Sequence, residues 1–351
     1  MPSNLVGKEY TNLRAVDGKV ISATATIPPL GLHDVLIRIT HTGVCYTDIE
    51  FSKHNLPMAL GHEGVGVVEA VGPAVSTLQP GDRAGGGFFK NSCGHCRNCL
   101  SRRDIFCYVR TIYGYGGSDS GTIGDYYIGK ESYVHKIPEA LSSELAAPLQ
   151  CAGATVYSAL VNNIATPRDR VGIVGMGGLG HLAIQFAAKM GHSVVVLSTS
   201  KSKEQEALGF GASEFVLLDD DVAEAVKLPV DVLLITGNRY PDWHKILDEK
   251  ILARNCVIVA LAAPSHEPSS SSIPLDKLFF GGFRLHPSLV ASRAQHDDML
   301  DFAARNGIRP VTQVYKFEGP ETVNAVFRNL EENKVRYRAV LELCGKRERE
   351  D

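Results

Sequence analysis

The chain has 351 residues, a formal net charge of -3 and 34 glycines, which is typical of a globular, turn-rich protein and not of a disordered one. A length of this order exceeds what a single hydrophobic core supports, so we expect two domains. The near-neutral charge provides no general attraction to nucleic acids or anionic membranes, and neither is expected as a partner. No stretch reaches the roughly 18 consecutive apolar residues of a membrane span, and residues 1–10 lack an apolar signal core, so we expect a cytoplasmic protein.

Residues 1–148 are predicted to form a β-rich domain. Short apolar runs interrupted by glycine, such as residues 34–41 and 63–71, are typical of strands, and helical patterns are sparse. From 149 to 287 the pattern changes to strand, glycine turn and helix, repeated. Strands are predicted at 171–174, 193–197, 230–235 and 256–261, with a helix beginning near Leu179. This alternation predicts a parallel, doubly wound sheet.

The last segment, 288–351, has helical patterns at 297–305 and 320–332 and a terminal strand at 336–343. Its β-type ending predicts a return to the first domain. We therefore expect one domain built from 1–148 and 288–351, and a second built from 149–287.

Four cysteines are closely spaced in the string SCGHCRNCLSRRDIFC: Cys93, Cys96, Cys99 and Cys107. Four thiolates can surround one tetrahedral Zn²⁺ and leave no position for a substrate, so the string predicts a structural zinc site. The alternatives are a chance group of free thiols and an iron–sulfur ligand set. The lack of a paired cluster motif favours zinc.

A second group of metal-binding residue types is dispersed along the chain. Cys45 stands in GVCYTD, His62 and Glu63 in LGHEGVG, and Cys151 in PLQCAGATVYSAL. Two thiolates and one imidazole make a three-ligand zinc site with an open position, where the metal can polarise a substrate oxygen. Taken singly, each residue equally fits an ordinary buried side chain.

Gly175, Gly177 and Gly180 follow an apolar strand and open a helix in VGIVGMGGLGHLA. In this context the pattern predicts a dinucleotide site: the first glycine permits a tight turn, the second lets the backbone approach a pyrophosphate, and the third lets helix and strand pack. Gly178 and Leu179 complete the loop at the helix N-terminus, which favours negative charge. A glycine-rich turn with packing duties alone is the alternative.

The end of the following strand indicates which dinucleotide binds. NAD sites usually place a carboxylate there, whereas this sequence has Ser198, Thr199, Ser200 and Lys203. Two charged hydrogen bonds at about 1.5 to 3 kcal/mol each would favour NADP on the order of a hundred- to ten-thousandfold. The alternative is an exposed polar turn.

Taken together and in order, these motifs resemble the medium-chain zinc alcohol dehydrogenases, and most closely their cinnamyl alcohol dehydrogenase-like branch. The resemblance extends over nearly the whole chain, through GHEGVGVVEAVG and the ending NLEENKVRYRAVLEL. It implies a GroES-like β-rich catalytic domain, a Rossmann domain, a cleft between them, two zinc ions per chain and commonly a homodimer.

The resemblance also implies roles for single residues. The catalytic zinc ligands would be Cys45, His62 and Cys151. Glu63 would be the carboxylate that approaches the metal when substrate leaves, and Asp48 would orient His62. Thr47 would supply a proton to the substrate oxygen, and NADPH would supply hydride to an aldehyde carbon. We expect an aldehyde and primary alcohol pair, with reduction as the physiological direction.

The sequence departs from the branch at three places. Glu50 stands where the branch usually has the histidine that ends the proton relay, and the segment between Cys45 and His62 is shorter than usual. At the expected nicotinamide edge, where Ser288 would contact the cofactor, the usual small residues are replaced by Leu285, His286, Pro287 and Ser288. Tyr113 and Tyr115 are expected to form pocket walls, although ordinary packing fits them equally well.

Two other functions are compatible with parts of this sequence. The same scaffold could serve an NADPH-dependent reductase of iminium or activated alkene groups, which the loss of the relay hydroxyl would favour, but Thr47 is retained. A cofactor-binding protein without activity is disfavoured because it would not need three open-site zinc ligands together with Thr47.

Overall fold

The structure is a computed structural model that describes residues 5–54, 56, 58–115, 120–164, 166–219, 221–263 and 272–343. The chain divides into two compact units, Met1–Cys151 with Ala291–Asp351, and Ala152–Val290. The sequence-based boundaries, after residues 148 and 287, lie three residues before these.

The first part of the chain is rich in strands. Its strands are β1 (Glu9–Val16), β2 (Lys19–Thr26), β3 (Asp34–Val44), β4 (Glu63–Val71), β5 (Arg83–Gly87), β6 (Phe89–Asn91), β7 (Thr111–Ile112), β8 (Tyr126–Lys130) and β9 (Val134–Lys136). Its helices are short: α1 (Tyr46–Ser52), α2 (Arg97–Leu100) and α3 (Ser143–Pro148). The strands predicted at 34–41 and 63–71 correspond to β3 and β4.

The second unit alternates strands and helices. Its strands are β10 (Val171–Val174), β11 (Val194–Ser198), β12 (Glu214–Leu217), β13 (Val230–Ile235), β14 (Leu252–Ala260) and β15 (Arg284–Pro287). Its helices are α4 (Ala154–Asn163), α5 (Gly180–Lys189), α6 (Glu204–Gly209), α7 (Val222–Ala225), α8 (Trp243–Ile246) and α9 (Leu275–Gly281).

These six strands pair in parallel in the order β12-β11-β10-β13-β14-β15. The predicted doubly wound parallel sheet is therefore confirmed. β10 and β11 are buried along their whole length, as expected for strands covered on both faces. The strand order changes direction between β10 and β13, and such a switch point is where ligands bind at the carboxyl ends of parallel strands.

The chain ends with α10 (Arg293–Asn306), β16 (Thr312–Lys316), α11 (Pro320–Glu331) and β17 (Arg338–Glu342). β17 pairs antiparallel with β3, so the terminal strand joins the sheet of the first unit in the order β16-β17-β3-β4-β5-β9. β8 also pairs with β3 but is not part of this strand order. The sequence likewise predicts a return of this segment to the first domain.

Each unit has its own hydrophobic core. In the first unit, buried side chains of β3, β4 and β17 pack with those of α11, among them Ile37, Val68, Leu341 and Val323. In the second, the sheet packs against Trp243 and Ile246 of α8. Among the described residues, no helix is long and apolar enough to cross a membrane.

Candidate metal and cofactor sites

Strand register brings Cys45 and His62 together. β3 ends at Val44, β4 begins at Glu63, and Gly43 pairs with Glu63 across the two antiparallel strands. Cys45 and His62, which adjoin these strand ends, therefore lie side by side, with Cys45 Sγ 3.2 Å from His62 Nε2.

Cys151 reaches the same place from a different element. It lies in the π-helical turn Leu149–Gly153, which joins α3 to α4, and such widened turns are frequent at functional sites. The ligand atoms of Cys45, His62, Glu63 and Cys151 all lie within 4.8 Å of one another.

These residues fit a zinc ion. Two sulfurs and an imidazole nitrogen are donors that zinc prefers, and three protein ligands leave a position open. The Glu63 carboxylate belongs to the same buried cluster, and its Oε1 lies 3.8 Å from His62 Nε2. The carboxylate could therefore approach a cation held by the thiolates and the imidazole.

Asp48 forms hydrogen bonds with both Cys45 and His62. Its Oδ2 accepts a hydrogen bond from the backbone N–H of Cys45 at 3.0 Å, which completes a capping box at the start of α1. Its Oδ1 lies 2.9 Å from His62 Nδ1. Because the carboxylate accepts, Nδ1 carries a proton, and Nε2 is the ring nitrogen that would bind a metal.

Glu63 is paired with Arg338, a residue that the sequence analysis did not identify. The Arg338 guanidinium donates to Glu63 Oε1, and both side chains are buried. A Cβ at residue 43 would overlap Glu63 Oε2, so glycine at that position makes room for the carboxylate. The available signal was an arginine at the start of β17, directly before the apolar residues of that strand.

Hydrogen bonds, neighbouring charges and burial shift the pKa values of the residues in this cluster. A hydrogen bond from the Cys151 thiol, opposed by burial and aided by His62, lowers the pKa of Cys45 well below its usual value. Burial acts to lower the pKa of His62, but the Asp48 and Cys45 charges outweigh it and hold that pKa well above its usual value. Burial raises the pKa of Glu63 to about 7 against the opposing charge of Arg338. A thiolate at Cys45 is the form that binds a metal.

Thr47 and Glu50, the two predicted relay residues, both lie on α1. Thr47 is half-buried, and its backbone N–H donates to Cys45 Sγ at 3.3 Å. Glu50 is also half-buried and lies one turn further along the helix. The structure thus places Thr47 directly beside Cys45, a candidate metal ligand.

The pocket-wall role expected for Tyr113 does not match its position. Its side chain has 0% exposure, its hydroxyl donates to Asp48, and its ring stacks on His62. Tyr115 is 64% exposed. Tyr113 therefore lies behind the ligand His62 and not on a surface open to substrate.

The four-cysteine string folds into a tight sulfur cluster. Sγ–Sγ distances are 3.5 Å for Cys96 and Cys99, 3.6 Å for Cys93 and Cys107, and 3.9 Å for Cys93 and Cys99. A zinc–sulfur bond of about 2.3 Å gives a tetrahedron with edges of about 3.8 Å, so the spacing fits zinc. Backbone hydrogen bonds from His95 and Cys96 lower the pKa of Cys93 to about 6, which favours its thiolate.

The glycine-rich loop joins β10 to α5 in the second unit. Gly175 has a φ of 89°, in the left-handed region, and a Cβ at Gly180 would overlap the carbonyl oxygen of Gly175. By contrast, a Cβ at Gly177 would meet nothing within 4 Å. The open space at Gly177 fits a ligand that approaches the backbone closely, and Gly178 and Leu179 lead from there into α5.

The side chains predicted to select the dinucleotide lie at the end of β11. Ser198 is its last residue and is buried, and its Oγ accepts from the backbone N–H of Ser200 at 3.3 Å. Thr199 is exposed. Lys203 extends back to the glycine-rich loop, where its Nζ donates to the Met176 carbonyl at 2.8 Å. The ammonium group is thus held next to the loop that would bind phosphate.

Ser288 follows β15, which lies at the opposite end of the sheet from β12. Its backbone N–H donates to the carbonyl of Ala260 at 2.9 Å. His286 Nε2 lies 2.7 Å from Asn163 Oδ1 on α4, so this departure from the branch is accommodated by a contact within the second unit.

Comparison with known proteins agrees with this architecture. Residues 31–139 match the alcohol dehydrogenase GroES-like domain, and residues 178–305 match the zinc-binding dehydrogenase family. The probable formaldehyde dehydrogenase AdhA of Bacillus subtilis (strain 168) is 38% identical over 332 residues, which cover 91% of this chain and 93% of that protein.

Solved structures give the same result. A cinnamyl alcohol dehydrogenase of Sorghum bicolor (SbCAD4) is 32% identical with a TM-score of 0.86, over 96% of this chain and 98% of its own. The CAD of Helicobacter pylori, solved as a complex with NADP(H), is 26% identical with a TM-score of 0.84, over 95% and 98% of the two chains. The chain belongs to the medium-chain zinc-dependent alcohol dehydrogenases, in the cinnamyl alcohol dehydrogenase-like branch, and is an oxidoreductase of alcohols and aldehydes.

Proposed function

We propose that this enzyme uses NADPH and zinc to reduce an aldehyde to a primary alcohol, with reduction as its physiological direction. The observation that carries the proposal is the donor set Cys45, His62 and Cys151, gathered with the buried Glu63 carboxylate. Three soft or borderline donors with an open position suit a metal that must bind substrate.

Cys45, His62 and Cys151 would hold the catalytic zinc, and Glu63 is the further oxygen able to approach it. When bound, zinc would polarise the carbonyl oxygen and NADPH would provide the hydride. Asp48 keeps the proton on His62 Nδ1. Thr47, next to Cys45, donates the proton that the product oxygen must gain, and Glu50 forms the outer end of the relay.

The cofactor preference is supported by the end of β11. Ser198, Thr199, Ser200 and Lys203 offer hydroxyls and a cation to a 2′-phosphate and no carboxylate against it. The pyrophosphate would bind along Gly175 to Gly180 at the N-terminus of α5, and Ser288 would lie near the nicotinamide. The NADP(H) complex of the Helicobacter pylori relative is consistent with this choice.

We propose a second, structural zinc in the lobe of Cys93, Cys96, Cys99 and Cys107, giving two per chain. The sulfur spacing supports it because it matches a tetrahedral tetrathiolate site. None of the seven cysteines that the structure describes is in a disulfide bond, which supports a reducing compartment such as the cytoplasm.

We also propose a homodimer formed through the second unit. Leu275, Phe279 and Phe280 on α9 are each at least 73% exposed, and β15, which follows α9 in the chain, is an edge strand of the sheet. Exposed apolar side chains and an edge strand are both favourable for contact with a second copy. Light scattering should give twice the monomer mass, and Phe279→Glu should shift it toward the monomer.

A substrate panel tests the proposed function. Aldehydes, alcohols, imines and activated alkenes would each be offered to the zinc-loaded enzyme, with NADPH consumption or formation followed by absorbance. We expect turnover of aldehydes and primary alcohols. Turnover of imines or alkenes in the absence of aldehyde turnover would overturn the proposal in favour of the iminium or alkene reductase.

A further inference from the structure

Tyr113 is a buried aromatic residue packed against a metal-binding histidine. Its ring centroid lies 4.6 Å from that of His62, and the two planes are 29° apart. On the same tyrosine, the Phe51 ring packs at a centroid distance of 5.2 Å. The ring therefore fills the space beside the imidazole and restricts the rotation that would turn Nε2 away from the metal position.

The hydroxyl of Tyr113 has two partners whose roles are fixed. It accepts a hydrogen bond from the backbone N–H of Gly61 at 2.9 Å, and it lies 2.9 Å from Asp48 Oδ1. Because an ionised carboxylate only accepts, the phenolic proton points at Asp48. Asp48 thus receives three donors: Tyr113 and His62 at Oδ1, and the Cys45 backbone at Oδ2.

These contacts form a closed loop of bonds around one ligand. Asp48 holds His62, Tyr113 holds Asp48, and Tyr113 also holds Gly61, the residue that precedes His62. The imidazole is therefore fixed through its ring nitrogen, its ring face and its own backbone segment. Partners that orient metal ligands typically contribute 10- to 100-fold in metal affinity.

We propose that Tyr113 is a positioning residue of the catalytic zinc site, acting through Asp48 and His62 to keep the site in its metal-binding geometry. The inference rests on the zinc site proposed above. It assigns to Tyr113 a role in metal retention, in place of contact with substrate.

Tyr113→Phe deletes the hydroxyl and keeps the ring. Tyr127→Phe is a matched control, because Tyr127 is 1% exposed, lies in the same unit, and has no hydrogen-bond partner for its hydroxyl among the described residues. Both substitutions remove one buried oxygen from a tyrosine. Only the first removes an oxygen that contacts Asp48.

The readout is metal retention at each site. Protein loaded with cobalt would be challenged with a chelator, and the visible absorption of two-thiolate and four-thiolate sites would report the two metals separately. For Tyr113→Phe we expect roughly 10- to 100-fold weaker retention at the Cys45 site, with the four-cysteine lobe unchanged. Tyr127→Phe should retain both metals like the wild type.

A double-mutant cycle tests whether Tyr113 influences metal retention through Asp48. If Tyr113 acts through Asp48, Tyr113→Phe should add little to the loss caused by Asp48→Asn, because one interaction is being removed twice. Additive losses would overturn the proposal.

The remaining outcomes are distinguishable. If Tyr113→Phe retains the Cys45-site metal within twofold of wild type, or loses the metal of both sites together, the positioning role is overturned. If the wild type itself holds metal in the four-cysteine lobe alone, the proposed zinc site fails first.

Discussion

Glu63 and Arg338 form a buried ion pair, with 0% and 7% of their surfaces exposed. Arg338 lies on β17, the terminal strand, whereas Glu63 begins β4 beside the metal-binding residues. The guanidinium holds Oε1, the oxygen that lies 3.8 Å from His62 Nε2. A strand near the C-terminus thus helps to position a side chain of the site.

Arg338→Met should therefore destabilise the enzyme strongly. Removing one member of a buried pair leaves an uncompensated charge and typically costs about 3 to 5 kcal/mol. Urea unfolding at fixed zinc concentration would measure the loss. The double variant Glu63→Gln with Arg338→Met should recover much of it, since no charge is then stranded; a double variant as unstable as Arg338→Met would contradict this explanation.

The two cysteine-containing clusters predict two zinc ions per chain. Cys96→Ser or Cys99→Ser should lose one ion together with much of the thermal stability, because structural zinc binding contributes folding free energy. Cys256→Ser is a suitable control, since that cysteine is buried in β14 and belongs to neither cluster. Elemental analysis that finds one metal in the wild type, or iron, would rule out the assignment.

The end of β11 predicts at least a tenfold preference for NADPH over NADH in kcat/KM. Ser198→Asp should reverse the order by placing a carboxylate against the 2′-phosphate. Lys203→Met should weaken NADPH binding more than NADH binding, because only NADPH carries the 2′-phosphate that the lost charge would attract. Equal catalytic efficiencies with the two cofactors in the wild type would contradict the prediction.

His296 on α10 predicts a specific loss of stability in acid. Its ring stacks on His135 at 3.8 Å and its Nε2 lies 3.1 Å from Gln150 Oε1, while His135 contacts Asp297. Burial, aided by the charge of His135, holds the pKa of His296 well below its usual value. Below about pH 6.5 the unfolded chain therefore binds a proton at this residue that the folded chain does not.

Above that pH, the ionisation of His296 should make no contribution to the pH dependence of the free energy of unfolding. As pH falls from about 6.5 toward the folded pKa, the free energy of unfolding should decrease by up to about 1.4 kcal/mol per pH unit from this residue. His296→Gln, which keeps a donor to Gln150, should lose that component in urea unfolding between pH 5 and 8. An unchanged pH dependence in the variant would contradict the assignment.

Local signals made most of the fold predictable. The strand, glycine turn and helix around Gly175 follow one another directly in the sequence, and the parallel sheet was expected from several such units. The cysteine lobe is likewise contained in one short string. Patterns of this kind can be interpreted from residues that are close together in the sequence.

Contacts across the fold were not predictable in the same way. Arg338 meets Glu63 through the pairing of β17 with β3 and of β3 with β4, which is set by tertiary register. The orientation of Tyr113 depends on the turn at Gly114, whose φ is 80°; this turn separates the buried Tyr113 from the exposed Tyr115. Sequence spacing alone does not reveal which of the two tyrosines faces inward.

Thr47→Val is the most informative variant for the proposed reduction of an aldehyde with Thr47 as proton donor. An aldehyde product gains a proton on oxygen, whereas hydride simply cancels the charge of an iminium ion. General acid help is typically worth roughly a hundred- to ten-thousandfold, so aldehyde turnover should fall by at least the lower factor. Zinc content and NADPH affinity should be unchanged, and Thr24→Val, at an exposed position on β2, should retain wild-type turnover. Near-full aldehyde turnover in zinc-loaded Thr47→Val would contradict the account and favour the iminium or alkene reductase.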